Sequence, residues 1–468
     1  MATATIKSGS INLLNTIIGA GILAMPFGLK SNGLVFGCLL IIWSSLTSAF
    51  GLYLQNKVAK YTQQREAVSY FSLAQLTYPH LSIVFDSAIS IKCFGVGVSY
   101  LVVIGDLMPK IMESWGVQGG WWLERNLWIT IFMVVIVVPL SYLKKLDSLK
   151  YTSIVALFSV VYLICLVVEH YIVGDVISEG TEIDVWGPVS WKSTLASFPI
   201  FVFAYTCHQN MFAIINELKP NEVDGSQTRQ SNLIIRNAIT TACGSYLIVG
   251  IIGYLSFGRN VNGNIITMYP KDSISSLIGR LCIVIMVSLS FPLQCHPCRG
   301  SINHVIHFLT VGISSSKVRN SRDGYTTLQS DIESITSITT DSIQEDSFVS
   351  TTPMEGAQDT DGHDPIIVPL TSKRFYGITT VIVVMSYLVA ISVQSLEHVL
   401  AFVGSTGSTS ISFILPGVFG FMLIKPLDGG PLTKLERFCK WGGLVLAIWG
   451  VVVMVVCLGA TIFLGAKH

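Results

Sequence analysis

Apolar stretches long enough to cross a bilayer recur along the whole chain, and nothing else constrains its fold so tightly. A hydrocarbon core about 30 Å thick takes about 20 apolar residues of helix. That ruler predicts eleven spans, at residues 8–30, 33–56, 82–112, 126–143, 149–172, 193–218, 230–257, 273–308, 374–396, 398–424 and 440–464. Composition agrees, because only 12% of the 468 residues are charged, about half the ordinary soluble share, and the mean hydropathy is +0.62. A soluble surface cannot be covered with so few charges. The first span runs too long, and is followed too closely by the second, to read as a cleaved signal. The expected class is an all-α polytopic membrane protein lying in a lipid bilayer.

Spans 1–8 occupy residues 1–311 and spans 9–11 occupy residues 373–468. Between them, residues 312–372 are crowded with Ser, Thr, Asp and Gly and have little apolar periodicity. Such a stretch buries too little surface to fold alone and reads as a disordered cytoplasmic loop, open to phosphorylation. Lys and Arg give the orientation, since cytoplasmic loops carry their excess. Of the 29, twenty fall on the N-terminal side, eight on the other, and Lys92 lies within a span. The N-terminus is therefore expected in the cytoplasm and, with an odd number of spans, the C-terminus on the far side.

Net charge is 29 − 28 = +1 with no basic cluster, so no nucleic-acid partner is expected. Most of the ten cysteines fall inside apolar runs and read as small core residues. Cys295 and Cys298 have C-x-x-C spacing, but a zinc site needs four ligands and no second pair exists, so neither a metal nor another cofactor is expected.

Two spans are interrupted at corresponding places five spans apart. Span 1 reads Asn12-Leu13-Leu14-Asn15-Thr16-Ile17-Ile18-Gly19-Ala20-Gly21-Ile22-Leu23-Ala24-Met25-Pro26, with two glycines at membrane depth and a proline beyond them. Span 6 reads Phe198-Pro199-Ile200-Phe201-Val202-Phe203-Ala204-Tyr205-Thr206-Cys207-His208-Gln209-Asn210. Paired broken helices mark the binding site of secondary transporters built on inverted repeats. An unwound turn frees backbone groups that lipid cannot satisfy but a zwitterion can. Half-helix N-termini suit a carboxylate, and freed carbonyls with the oxygens of Asn15 or Thr16 suit an ammonium. Close packing of small residues would also account for Gly19 and Gly21.

Other polar residues at membrane depth are few. Span 3 has Asp86, Lys92, Ser99 and Tyr100; span 8 has Ser288 and Ser290; span 10 has the run Gly404-Ser405-Thr406-Gly407-Ser408-Thr409-Ser410. Hydroxyls often bond the carbonyl one turn back, but the density in span 10 suggests a helix that passes closely by a neighbour. Lys92 needs a partner, a cavity or a substrate, because a buried ammonium is costly. Asp86 lies six residues away, roughly 120° around the helix, so the two do not pair within it.

The run Asn15 to Pro26 resembles the first helix of the amino acid/auxin permease family, and Phe203-Ala204-Tyr205 with Cys207-His208-x-Asn210 and Asn216-Glu217-Leu218 resembles its sixth. Ser290-Phe291-Pro292-Leu293 with Pro297-Cys298-Arg299, and Gly404 to Thr409, are similar to further family signatures. The run Phe85-Asp86 to Ser99-Tyr100 resembles the yeast vacuolar amino-acid transporter branch, especially its exporters. The resemblance implies a LeuT-type fold in which spans 1–5 and 6–10 are inverted repeats and an eleventh helix follows. It also implies amino acids as substrates, aspartate and glutamate foremost, protons as the coupling ion, and a vacuolar membrane with the C-terminus in the lumen. Span 1 begins near Ser8 with no long extension before it, which favours an exporter to the cytosol.

Candidate substrate-binding residues are Asn15, Thr16, Ile18, Gly19, Ala20, Gly21, Lys92, Ser99, Tyr205, Cys207 and Asn210. His208 is the candidate for proton coupling, since an imidazole titrates between an acidic lumen and a neutral cytosol. The alternative for His208 is a neutral ring bonded to a carbonyl. Ser288 and Ser290 are ion-site candidates. No enzymatic chemistry is expected. Rival readings are an amino-acid sensor signalling through residues 312–372, a neutral amino-acid permease, and a channel, the last disfavoured because no repeated filter or charged ring occurs.

Overall fold

The computed structural model describes residues 5–60, 68, 70–77, 82–143, 152–177, 182–188, 190–218, 227–315, 370–426 and 431–465. They form an all-α bundle. Nine helices among the described residues are long and apolar enough to cross a membrane, ten when the bent pair Ile6–Ile17 and Ala20–Asn32 is taken as one span. Each of the eleven expected spans falls on helix, but the fourth, Arg125–Ser141, is short of that length. Residues 316–369 of the expected loop lie outside the described residues; helix extends to Ser315 before it and resumes at Ser372 after it.

The first span consists of α1 (Ile6–Ile17), a 3-10 turn (Ala20–Ala24) and α2 (Met25–Asn32), with a bend of 48°. Gly33 follows at φ 77°, a left-handed turn suited to glycine, and α3 (Leu34–Ala59) leads back across. A short α4 (Tyr70–Leu76) precedes α5 (Ser82–Ser114), which is buried along most of its length. The fourth segment is α6 (Arg125–Phe132), a π turn and α7 (Val138–Ser141); the fifth is α8 (Thr152–Val173).

The sixth span repeats the pattern of the first, with α9 (Trp191–Ala204), a 3-10 turn (His208–Asn210) and α10 (Met211–Glu217). Then come α11 (Thr228–Phe257), α12 (Ile274–Ser315) and α13 (Ser372–Ser392). The tenth span starts as α14 (Leu396–Val403), passes through two π turns (Gly404–Ser408 and Ser410–Ile414) and ends as α15 (Leu415–Leu423); α16 (Lys434–Gly465) closes the bundle.

The layering follows from what each helix can bury. α5 packs along α12, and α9 lies between α2, α14 and α16. The perimeter helices expose apolar side chains, among them Ile154, Phe158 and Val161 of α8 and Val445, Ile448 and Val455 of α16, as helices facing lipid must. Exposed Trp115, Trp121, Trp122, Trp186 and Trp191 lie in or beside the connections that follow α5 and α8, where tryptophan is enriched in proteins that cross a bilayer. At that end Arg125 donates to the Asp106 carboxylate at 3.2 Å and to the carbonyls of Ala390 and Val393, tying α6 to α5 and the end of α13.

Candidate functional site

α1 stops at Ile17 because the next residues abandon its ladder: the Ile18 amide still bonds the Leu14 carbonyl, but Gly19 turns to φ −135°, ψ −143°. Pro26 sits in the first turn of α2, where a missing N–H costs least. α9 ends likewise at Ala204, with Tyr205, Thr206 and Cys207 leading into the second 3-10 turn. The unwinding in span 1 begins only after Ile17, so two of the candidate binding residues lie outside it. Asn15 and Thr16 remain in the last helical turn, the Asn15 amide donating to Ser153 Oγ at 3.2 Å and the Thr16 hydroxyl to the Asn12 carbonyl at 3.0 Å.

The two breaks meet. Asn210 Nδ2 donates to Thr16 Oγ1 at 2.9 Å. A Cβ placed on Gly21 would stand 2.9 Å from the Ala204 Cβ, so the glycine permits direct contact between the interrupted helices. Gly19 is different, because a Cβ there would meet only the Tyr100 hydroxyl, at 3.5 Å. Ile18, Ala20, Tyr205 and Cys207 are buried around this contact, with the Tyr205 ring edge-on to Tyr246, centroids 5.1 Å apart.

His208 is fully buried, its Nε2 3.1 Å from the Ser48 carbonyl of α3. A carbonyl only accepts, so Nε2 carries the proton and Nδ1 is left as an acceptor with no hydrogen-bond partner among the described residues. Gly51 makes this approach possible, since a side chain there would strike both His208 and the Ser412 carbonyl. Lys92 is buried on α5 with Nζ 3.4 Å from Gln294 Oε1 of α12. Asp86 faces His304 Nδ1 of α12 at 3.6 Å rather than Lys92.

The tenth span fits against both. Gly404 accepts the close approach of the Pro199 carbonyl on α9, and a Cβ on Gly407 would lie 2.7 Å from the Lys92 backbone nitrogen. The expected close passage is thus built from glycines at two different neighbours. The remaining candidates are held by their own helices: Ser99 donates to Val96 O, Ser288 to Val284 O and Ser290 to Met286 O, and among the described residues no hydrogen bond joins these three to the breaks. Cys295 and Cys298 are buried thiols on α12.

Sequence reasoning missed Tyr246. Its side chain is fully buried on α11, and its hydroxyl lies 2.8 Å from both the Ile17 and the Ala204 carbonyl oxygen. The available signal was a tyrosine in the middle of an apolar span, since a buried phenol needs a hydrogen-bond partner.

Two helices broken at matching positions and packed against each other inside an all-helical bundle define a LeuT-type membrane protein. The solved structure of MhsT in complex with L-phenylalanine has this fold, with a TM-score of 0.54 over 97% of this chain and 98% of that one at 10% identity. Residues 2–461 match the transmembrane amino acid transporter protein family, and the chain belongs to it. Vacuolar amino acid transporter 6 of Saccharomyces cerevisiae is 44% identical over 464 residues, covering 98% of this chain and 99% of that protein. Vacuolar amino acid transporter 5 of Schizosaccharomyces pombe is 39% identical over 460 residues, covering 97% and 94%.

Proposed function

We propose that this chain is a secondary transporter of the vacuolar membrane that carries amino acids from an acidic lumen to the cytosol together with protons, by alternating access. The observation that carries the reading is the direct contact of the two helix breaks, Gly21 on Ala204 and Asn210 on Thr16, in a chain 44% identical to a vacuolar amino acid transporter. Carbonyls at the ends of α1 and α9 suit the substrate ammonium, and the turn that opens α2 suits its carboxylate. Lys92 would receive the side-chain carboxylate of aspartate or glutamate. The acceptor at His208 Nδ1 would take the coupled proton.

Purified protein in liposomes loaded with labelled aspartate tests this. Efflux driven by an acidic interior is the expected result; binding without flux would make the protein a sensor, and flux of neutral amino acids alone a neutral permease. His208→Gln keeps an N–H for the Ser48 carbonyl but does not titrate, so it should retain exchange and lose dependence on the pH gradient; an unchanged dependence moves the proton elsewhere. Lys92→Gln should lower acidic amino-acid transport about tenfold more than neutral transport, the scale of one charge-assisted hydrogen bond. Equal losses would mark a structural lysine.

A further inference from the structure

We infer that Tyr246 is a positioning residue for the return of the unloaded carrier, its hydroxyl proton holding the carbonyls that the substrate ammonium holds when the carrier is loaded. The inference rests on the proposed transport function. Ile17 and Ala204 are the final residues of α1 and α9, so both carbonyls point beyond the last turn of a helix and carry the partial negative charge of its C-terminus. The Tyr246 hydroxyl stands 2.8 Å from each, on a side chain with no exposure, braced edge-on by Tyr205.

A phenol has one proton and two acceptors face it, so it bonds them in alternation or shares one weakened bond between them. An ammonium has three protons and satisfies two carbonyls at once. The consequence is asymmetric. With substrate bound, the breaks are held by the ammonium and the phenol is dispensable. Without substrate, the phenol is the donor that keeps two buried carbonyls from being stranded while the half-helices move. Removing it should therefore penalise only those steps that the carrier makes empty.

Tyr246→Phe tests this, because it removes one oxygen and keeps the ring. Exchange, with labelled amino acid on one side of the liposome and unlabelled on the other, uses only the loaded carrier and should stay within about twofold of the unmodified protein. Net transport into amino-acid-free medium needs the empty return and should slow about tenfold, the effect of stranding one buried carbonyl on a barrier. Equal slowing of both, or slowing of neither, overturns the inference and leaves Tyr246 as packing. If the unmodified protein moves no amino acid in either assay, the transport reading itself fails, and the inference with it. Should Tyr246→Phe not insert, 3-fluorotyrosine at the same position keeps the packing and changes the donor strength. Net flux should then shift while exchange does not, and a shift in both or in neither overturns the inference.

Discussion

Gly19 and Gly21 stand two residues apart and answer to different constraints. At Gly21 the nearest atoms are the Cα and Cβ of Ala204, at 3.0 and 2.9 Å from an added Cβ, and backbone cannot step aside cheaply. Gly21→Ala should cost about 1–3 kcal/mol of overpacking and lower the melting temperature of the purified protein. Gly19→Ala should melt normally, while the branched side chain of Gly19→Val fills the space toward Tyr100 and should abolish transport with insertion intact. Equal melting of the two alanine variants would refute the distinction. The glycine spacing announced a break but not what faces each glycine, because that depends on α9 and α5 arriving from far along the chain. The same limit hid Tyr246 and the Asp86–His304 and Lys92–Gln294 approaches, each of which joins residues from distant spans. It also made Ser99, Ser288 and Ser290 candidates, since a hydroxyl that bonds its own helix has the same sequence signature as one that bonds a substrate or an ion.

Helix interruptions were legible where glycine and proline force them, in spans 1 and 6, but their extent was not. Asn15 and Thr16 stay helical while Ser153 and Asn210 engage their side chains, a contact with no local trace. The π turns of span 10 were visible only as a surplus of Gly, Ser and Thr, since a wider winding leaves no period in so polar a run. Among connections, the stretch 182–188 is strapped across the start of α3: the Leu34 and Val35 amides donate to the Asp184 and Val185 carbonyls at 2.8 and 2.9 Å, and Arg259 Nη2 donates to the Asp184 carboxylate at 2.7 Å. That hydrogen bond holds the Asp184 carboxyl below its ordinary 3.8. A lowered carboxyl pKa contributes stability that is complete above the ordinary value and lost as pH falls through the lowered one. The strap should therefore remain closed at the pH of an acidic compartment near 5. Limited proteolysis of this connection should be no faster at pH 5 than at pH 7 once protease activity is normalised, and several-fold faster in Arg259→Ala. Faster cleavage of the unmodified protein at pH 5 would show that another group governs the strap.

At the scale of the molecule, hydropathy placed the nine or ten helices that among the described residues are long and apolar enough to cross, and the fold followed from the resemblance of the motifs rather than from any single helix. The fourth expected span is the one the structure leaves short, as Arg125–Ser141. Its 17 residues span about 25 Å, short of a 30 Å core, and its start is pinned to Asp106 and the end of α13. Whether it crosses decides the parity of the chain. Tags at the two termini, probed in sealed vacuolar vesicles, should lie on opposite faces with the N-terminus outside the vesicle; tags on one face would mean that this segment does not cross. The tenth span, finally, holds spare length. Winding residues 404–414 wider than an α-helix stores residues that a rewound turn would release, whereas each residue lost from a regular helix rotates everything beyond it by about 100°. A one-residue deletion within that stretch can be absorbed on the spot, leaving Gly404 against Pro199 and Gly417 against Gly443. The same deletion in α5 would turn half of that helix away from α12. Insertions and deletions in proteins of this kind should accordingly collect in the tenth segment and be purged from the third.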